Sequence, residues 1–172
     1  AGFRWYGYNG VFSIWPGDSA PRRSPNLSGL SVAKLSAANI LDGLSNTAAL
    51  AEILVGDESM QLLRVHWQLR SNYQEPHEYE VFAEVCANHA FRVDPNGKPV
   101  GTTWRGRPWW QAGHGRSLYN HIIAPNKPSC MGLNGSVLMG AYTPAALHPG
   151  GVQVAFADGH LQTITGSIDS AI

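Results

Sequence analysis

The sequence predicts an α+β, β-rich fold, an antiparallel sheet head with long loops and a C-terminal β-hairpin. Three observations carry this. Residues 152–164 place Val152, Val154 and Phe156 at every second position ahead of Asp158-Gly159, a dipeptide favoured in two-residue hairpin turns because both central positions need positive φ. The 172 residues include 19 glycines, 11 prolines and 6 tryptophans, a composition of turns and loops rather than of a helical bundle. Helical periodicity is confined to short runs. At this length one globular domain, residues 1–172, with a single core is expected.

Taken in order, residues 1–16 scatter aromatics among glycines and lead into a short strand near 11–15. Those rings either fill the core or form an exposed stacking surface. Residues 17–30, rich in Pro, Gly, Ser and Arg, are loop, with Arg22-Arg23 a solvated basic spot. Apolar residues at 32, 35, 37, 38, 40 and 41 give a short helical pattern, with Ser36 as an N-cap for its second part and Gly43 as its stop. Residues 48–55 read as a buried strand. A helix is the alternative there, because Ala-Ala-Leu-Ala-Glu has good helix propensity. Glu52, inside that apolar run, is expected to pair with an arginine or to reach solvent. Residues 61–69 alternate as a strand with Leu63, Val65 and Trp67 on one side. Residues 71–80 are a polar, acidic loop, and 81–85 a strand or short helix. Asp94-Pro95-Asn96-Gly97 is a turn signature, 119–125 a strand ending at a proline turn, and 131–142 a glycine-rich connection. In the final hairpin Ala157 should face His160, Phe156 face Leu161 and Val154 face Thr163. Val152, Val154, Phe156 and Leu161 then share the buried side. Gly150-Gly151 ahead of it permits a sharp bend or a close backbone approach.

Charge and motifs narrow the chemistry. The formal net charge is zero and charged residues make up only 14%, so no clustered Lys and Arg offer a nucleic-acid surface. No apolar run of about 18 residues could span a bilayer, and no signal-peptide pattern opens the sequence. Gly-x-Ser-x-Gly, HExxH, paired CxxC, Walker A and dinucleotide fingerprints are all missing, and no enzyme is expected. Asp42, Ser45, Asn46 and Glu52 carry oxygens suited to Ca2+. Capping by Asp42 and Ser45 and turn ordering by Asn46 account for those residue types without a metal, so no cofactor is expected. His77-Glu78-Tyr79-Glu80 is read in the same way, as a surface loop. Trp104, Arg105, Arg107, Trp109 and Trp110 form the most aromatic and basic patch, suited to cation–π stacking and to sugar rings. The competing reading has these rings covering the core beneath a loop, with Arg105 or Arg107 paired to an acid. His148 and Asp158 are the one distinctive His/acid pair. A structural role is expected, with the His148 imidazole bonding across to the hairpin and pinning the loop before it. Cys86 and Cys130 are either two buried thiols or one disulfide, and their count alone does not decide.

The spacing His148, nine residues, Asp158-Gly159 resembles the H-X9-DG signature of the DUF1559 (SBP_bac_10) family, pilin-like proteins abundant in planctomycetes. Ile40-Leu41-Asp42-Gly43-Leu44-Ser45-Asn46-Thr47, ending in Glu52, resembles that family's I-x-DG-x-SNT…E block. Tyr119-Asn120 through Ala124-Pro125-Asn126 to Cys130 resembles its YN…PN…C block. Three motifs in order over about residues 40–169 are more specific than any one of them. The resemblance implies a type IV pilin-like or type II secretion pseudopilin-like head, exported to the cell surface or to an extracellular or periplasmic space. Its partners would be other pilin-like subunits or surface-assembly proteins. The family's hydrophobic N-terminal helix is expected to be absent from this chain. The resemblance also implies a Cys86–Cys130 disulfide, closing a loop of roughly 45 residues and worth on the order of 4 kcal/mol. The expected function is structural, a subunit of a filament or secretion-type assembly. The alternative is an extracellular glycan- or solute-binding module using exposed Trp and Tyr.

Overall fold

The computed structural model describes residues 36–70, 79–107, 110, 116–133 and 140–168. The strand expected near 11–15, the N-terminal aromatics, Arg22-Arg23, His77-Glu78 and Trp109 lie outside the described residues. Within them the chain is α+β and β-rich. Its strands are β1 (Ala48–Ala51), β2 (His66–Gln68), β3 (Gly101–Thr102), β4 (Ser129–Met131), β5 (Gly140–Ala141), β6 (Val152–Phe156) and β7 (Leu161–Ile164), and its helix is α1 (Tyr79–Ala87). They form two sheets, a three-stranded one in the order β1-β6-β7 and a four-stranded one in the order β3-β2-β4-β5. The wholly antiparallel sheet expected from sequence is corrected in the second of these, where β2 and β4 run parallel. A parallel neighbour requires a long crossover, and the segment between β2 and β4 supplies it, carrying α1 and β3.

The larger core lies between α1 and the four-stranded sheet. Val65, Trp67 and Leu69 share one face of the β2 segment and pack with Phe82, Cys86, Phe91, Ile123, Cys130 and Ala141. Trp67 stacks on Phe91 at 4.8 Å between centroids and donates its indole N–H to the Leu62 carbonyl at 2.9 Å. The one-sided apolar set is therefore displaced from the expected one. A 3-10 turn at Leu62–Arg64 takes up the first part of the run, and Leu69 replaces Leu63. Residues 81–85 belong to α1, whose Phe82 and Cys86, four apart, turn inward while Val81 and Glu84 face solvent. Cys86 is disulfide-bonded to Cys130 of β4, which ties the helix to the sheet it covers. Residues 119–125 are not a strand. The Asn120 side-chain amide donates to the Gly140 carbonyl and accepts from the Tyr142 N–H, standing in for the neighbour a strand would have supplied.

The smaller core is set by the hairpin: Val152 and Val154 bury against Ala146, with Ala48, Ala51, Phe156 and Ile164 packed around them. β1 is shorter than the predicted strand, and its register against β6 slips between Ala48 and Leu50. The hairpin itself departs from expectation by one residue. Gly159 N–H donates to the Phe156 carbonyl, Phe156 pairs with His160, and only Gly159 has positive φ (92°) in the turn. This is a type I turn closed by a glycine bulge, not the two-residue mirror-image turn. β7 therefore pairs Leu161 with Ala155 and Thr163 with Gln153. A one-residue slip sends side chains to the opposite face, and Leu161, expected to be buried, is 71% exposed.

Candidate functional site

Two residues of the family-like motifs, Glu52 and His148, meet at one edge of the hairpin sheet. Just past β1, Glu52 stays in register, its N–H donating to the Gln153 carbonyl and its carbonyl accepting from Ala145. The loop that ends in Gly150-Gly151 returns His148 to the same edge. His148 Nε2 lies 2.9 Å from Glu52 Oε2, an oxygen that also accepts the Gln153 N–H at 2.8 Å. His148 Nδ1 lies 3.3 Å from the Pro149 carbonyl. Both ring nitrogens thus face acceptors, an arrangement only the imidazolium completes. Of the two expectations for Glu52, it does reach solvent, while its ionic partner is His148 rather than an arginine, and His148 reaches the hairpin through Glu52. Asp158 is engaged elsewhere, its Oδ1 accepting from the His160 N–H and lying 2.6 Å from His160 Nδ1, while the His160 ring stacks on Phe156.

This clasp has a pH window. The Gln153 N–H and then the His148 bond hold the Glu52 carboxyl below its ordinary 4.5, and the Glu52 bond raises the His148 imidazole above its ordinary 6.5. A depressed acid stabilises the fold above its unfolded pKa and loses that contribution as pH falls. A raised base stabilises it below its unfolded pKa and loses the contribution as pH rises. The pair therefore stabilises most between about 4.5 and 6.5. Both side chains are about two-fifths exposed, so the effect is small and salt-sensitive. A melting-temperature profile against pH should show a shallow maximum there that flattens in His148→Ala. An unchanged profile would remove the clasp's contribution.

The Asp42-Gly43 block builds the turn into β1. Asn46 Nδ2 donates to the Asp42 carbonyl at 2.8 Å and Thr47 Oγ1 to the Gly43 carbonyl at 3.0 Å. The side-chain bonds expected of Asp42 and Ser45 are made by Asn46 and Thr47 instead: the groups to be satisfied are carbonyls four residues earlier, which an amide N–H or a hydroxyl can donate to and an ionised carboxylate cannot. Among the described residues no three His, Cys, Asp or Glu side chains are grouped to hold a metal ion.

The aromatic and basic patch divides. Trp104 is 57% and Trp110 68% exposed, and the Arg116 guanidinium lies 5.4 Å over the Trp104 ring. Arg107 lies 3.9 Å from Glu58, both exposed. Arg105, expected among the contact residues, is corrected: it is 2% exposed. A turn from Trp104 to Arg107 points it inward, where its guanidinium donates to Ser129 Oγ at 2.7 Å and to the Thr143 carbonyl. Beside it a small cleft is lined by His66, Arg105, Arg116, Tyr119 and Thr143 among others. Burial, then the charge of Arg105, lowers the His66 pKa to about 3, and burial lowers that of Arg105 to about 10. Sequence reading missed this cluster, because its members are dispersed from residue 66 to residue 143 and follow no periodic pattern.

A disulfide-tied, β-rich α+β fold with a clasped C-terminal hairpin is the class that these elements and this site define. The family model described as a protein of unknown function (DUF1559) matches residues 3–171, and the chain belongs to that family. No curated protein and no solved structure matches the chain.

Proposed function

We propose that this chain is a non-enzymatic structural or interaction head of an exported, pilin-like or type II secretion-like surface assembly. The observation that carries the reading is how the signature residues are used. Glu52 and His148 bond to each other and to the hairpin strand, and Asp158 and Gly159 bond within the hairpin turn, none of them lining an open pocket. A disulfide supports an oxidising, exported location. The surface offered to a partner is the outer face of the hairpin sheet, where Leu50, Ala155 and Leu161 lie opposite one another across three strands. Leu50 is 62% and Leu161 71% exposed, an apolar row of the kind found at contact sites. One observation favours the second reading, a glycan-binding module: the exposed rings of Trp104 and Trp110.

Chemical cross-linking on the surface of the source cells, followed by capture of the tagged protein, tests both. Leu161→Lys should lose most of the cross-linked assembly product with a melting temperature unchanged within about 1 °C, because exposed substitutions cost little. Retention of full cross-linking in Leu161→Lys would sink the contact face. Loss of cell-surface association in Trp104→Ala/Trp110→Ala but not in Leu161→Lys would favour the glycan reading.

A further inference from the structure

The hairpin sheet leaves its last strand open. β7 ends the order β1-β6-β7, and Leu161, Gln162 and Thr163 are all exposed. Which backbone groups face outward follows from the pairing with β6. Phe156 N–H donates to the His160 carbonyl, while Val154 lies opposite Gln162 and Val152 opposite Ile164. Bonded residues alternate along an antiparallel ladder, so His160, Gln162 and Ile164 turn their backbone groups to β6. Leu161 and Thr163 turn theirs away. Among the described residues nothing bonds to the N–H or C=O of either. Open edges are ordinarily blunted by a charge, a proline or a bulge. Residues 161–164 carry neither charge nor proline, and their register against β6 runs unbroken.

We propose that the β7 edge pairs antiparallel with β7 of a second copy, about a two-fold axis at Gln162, joining two hairpin sheets into one. A second copy fits because the edge is complementary to itself. With the axis at Gln162, Leu161 of each copy lies opposite Thr163 of the other. Each of those pairs exchanges both of its N–H···O=C bonds, so every outward group on either side finds a partner. Gln162 meets Gln162 at the axis, in the close pair that lacks backbone bonds. An amide carries donors and an acceptor and can bond to its own copy, whereas a charged side chain there would repel it. An isologous pairing of this kind closes on itself and gives a dimer rather than a fibre. On the outer face the two Leu161 side chains come to diagonal positions, which brings the two Leu50–Ala155–Leu161 rows onto one continuous surface. The inference goes beyond the assembly reading above, since it concerns the chain alone and stands or falls without a surface partner.

The test follows amide hydrogen exchange of the full chain by NMR, at micromolar and at millimolar protein. The Gln162 and Ile164 amides, bonded to β6, should be protected in both samples. The Leu161 and Thr163 amides should exchange freely in the dilute sample and roughly tenfold more slowly in the concentrated one. Thr163→Pro removes an outward N–H on an edge strand, where proline is tolerated, and should leave Leu161 exchange independent of concentration. Gln162→Cys should cross-link to its own copy under mild oxidation, because opposed positions of a non-bonded pair bring their Cβ atoms within disulfide reach. Asn96→Cys, at an exposed turn, should cross-link far more slowly. The chain has no other free cysteine to compete. Leu161 and Thr163 amides that exchange at one rate in both samples would overturn the proposal. A fast rate would mean that nothing pairs with the edge, and a slow one that another segment of the chain covers it. Equal cross-linking of Gln162→Cys and Asn96→Cys would overturn it as well.

Discussion

Replacing Cys86 and Cys130 together with alanine lowers the stability of the folded chain by about 2–5 kcal/mol, a fall in melting temperature on the order of 10 °C. The two cysteines stand 44 residues apart, and a cross-link over that span removes loop-closure entropy from the unfolded chain worth on the order of 4 kcal/mol. The native geometry adds to the case. Cys86 and Cys130 are both fully buried in the larger core, so alanine there also deletes sulfur atoms that pack against Trp67 and Phe82 and their neighbours. The bond further fixes which face of α1 meets β4, the strand that makes the parallel pair with β2. Parallel pairs carry long connections and are entropically demanding, so a covalent tie on that crossover acts where the chain needs it most. The measurement is thermal or urea unfolding with and without reductant. A reduced protein melting within about 2 °C of the oxidised one would mean that the loop is held by packing alone.

What the sequence revealed and what it withheld follow the range of the forces involved. Local signals were legible. The Asp94–Gly97 turn forms, with Asp94 Oδ1 accepting from Asn96 and Lys98 and Gly97 closing it. The strand beginning at Ala48, the hairpin and the disulfide-bonded family framework were legible too. The hairpin register was not, because Asp-Gly is compatible with two turn geometries. The choice is made by Asp158, whose carboxylate accepts from the His160 N–H and leaves positive φ to Gly159 alone. Glu52 stands out in its apolar run and reaches solvent as expected, but His148 as its partner is not legible, since nothing local says that a residue 96 positions later returns beside it. Both residues do fall in the family blocks, and that co-occurrence is the signal that could have paired them. Arg105 falls among the contact candidates only because it sits in the aromatic and basic run from Trp104 to Trp110. Its burial depends on Ser129 and Thr143, partners supplied only by the tertiary fold.

The glycine pair before β6 offers the sharpest contrast between two adjacent substitutions. Gly150 and Gly151 both have left-handed backbone, φ 100° and 124°. A side chain at Gly150 would meet open space, with nothing within 4 Å, so Gly150→Ala pays only the conformational strain, roughly 1–2 kcal/mol. At Gly151 a Cβ would lie 2.3 Å from the Ile164 carbonyl oxygen and 2.8 Å from its carbon, backbone atoms that cannot swing aside. Ile164 is the residue paired with Val152 at the open end of the hairpin, and Val152 is fully buried. Relieving the clash therefore means separating β6 from β7 or lifting Val152 from the smaller core. Either route costs more than the strain alone, and Gly151→Ala should lose roughly 3–5 kcal/mol in total. The damage should also spread to the clasp, because Gln153, one residue past Val152, gives its N–H to Glu52. Urea unfolding of the two single variants provides the comparison, with the His148 ring signal in the NMR spectrum as the local report. Equal destabilisation by the two alanines would show that the close approach to Ile164 does not constrain this position. A large loss at Gly151 alone would show that the glycine pair holds the hairpin against the loop that delivers His148.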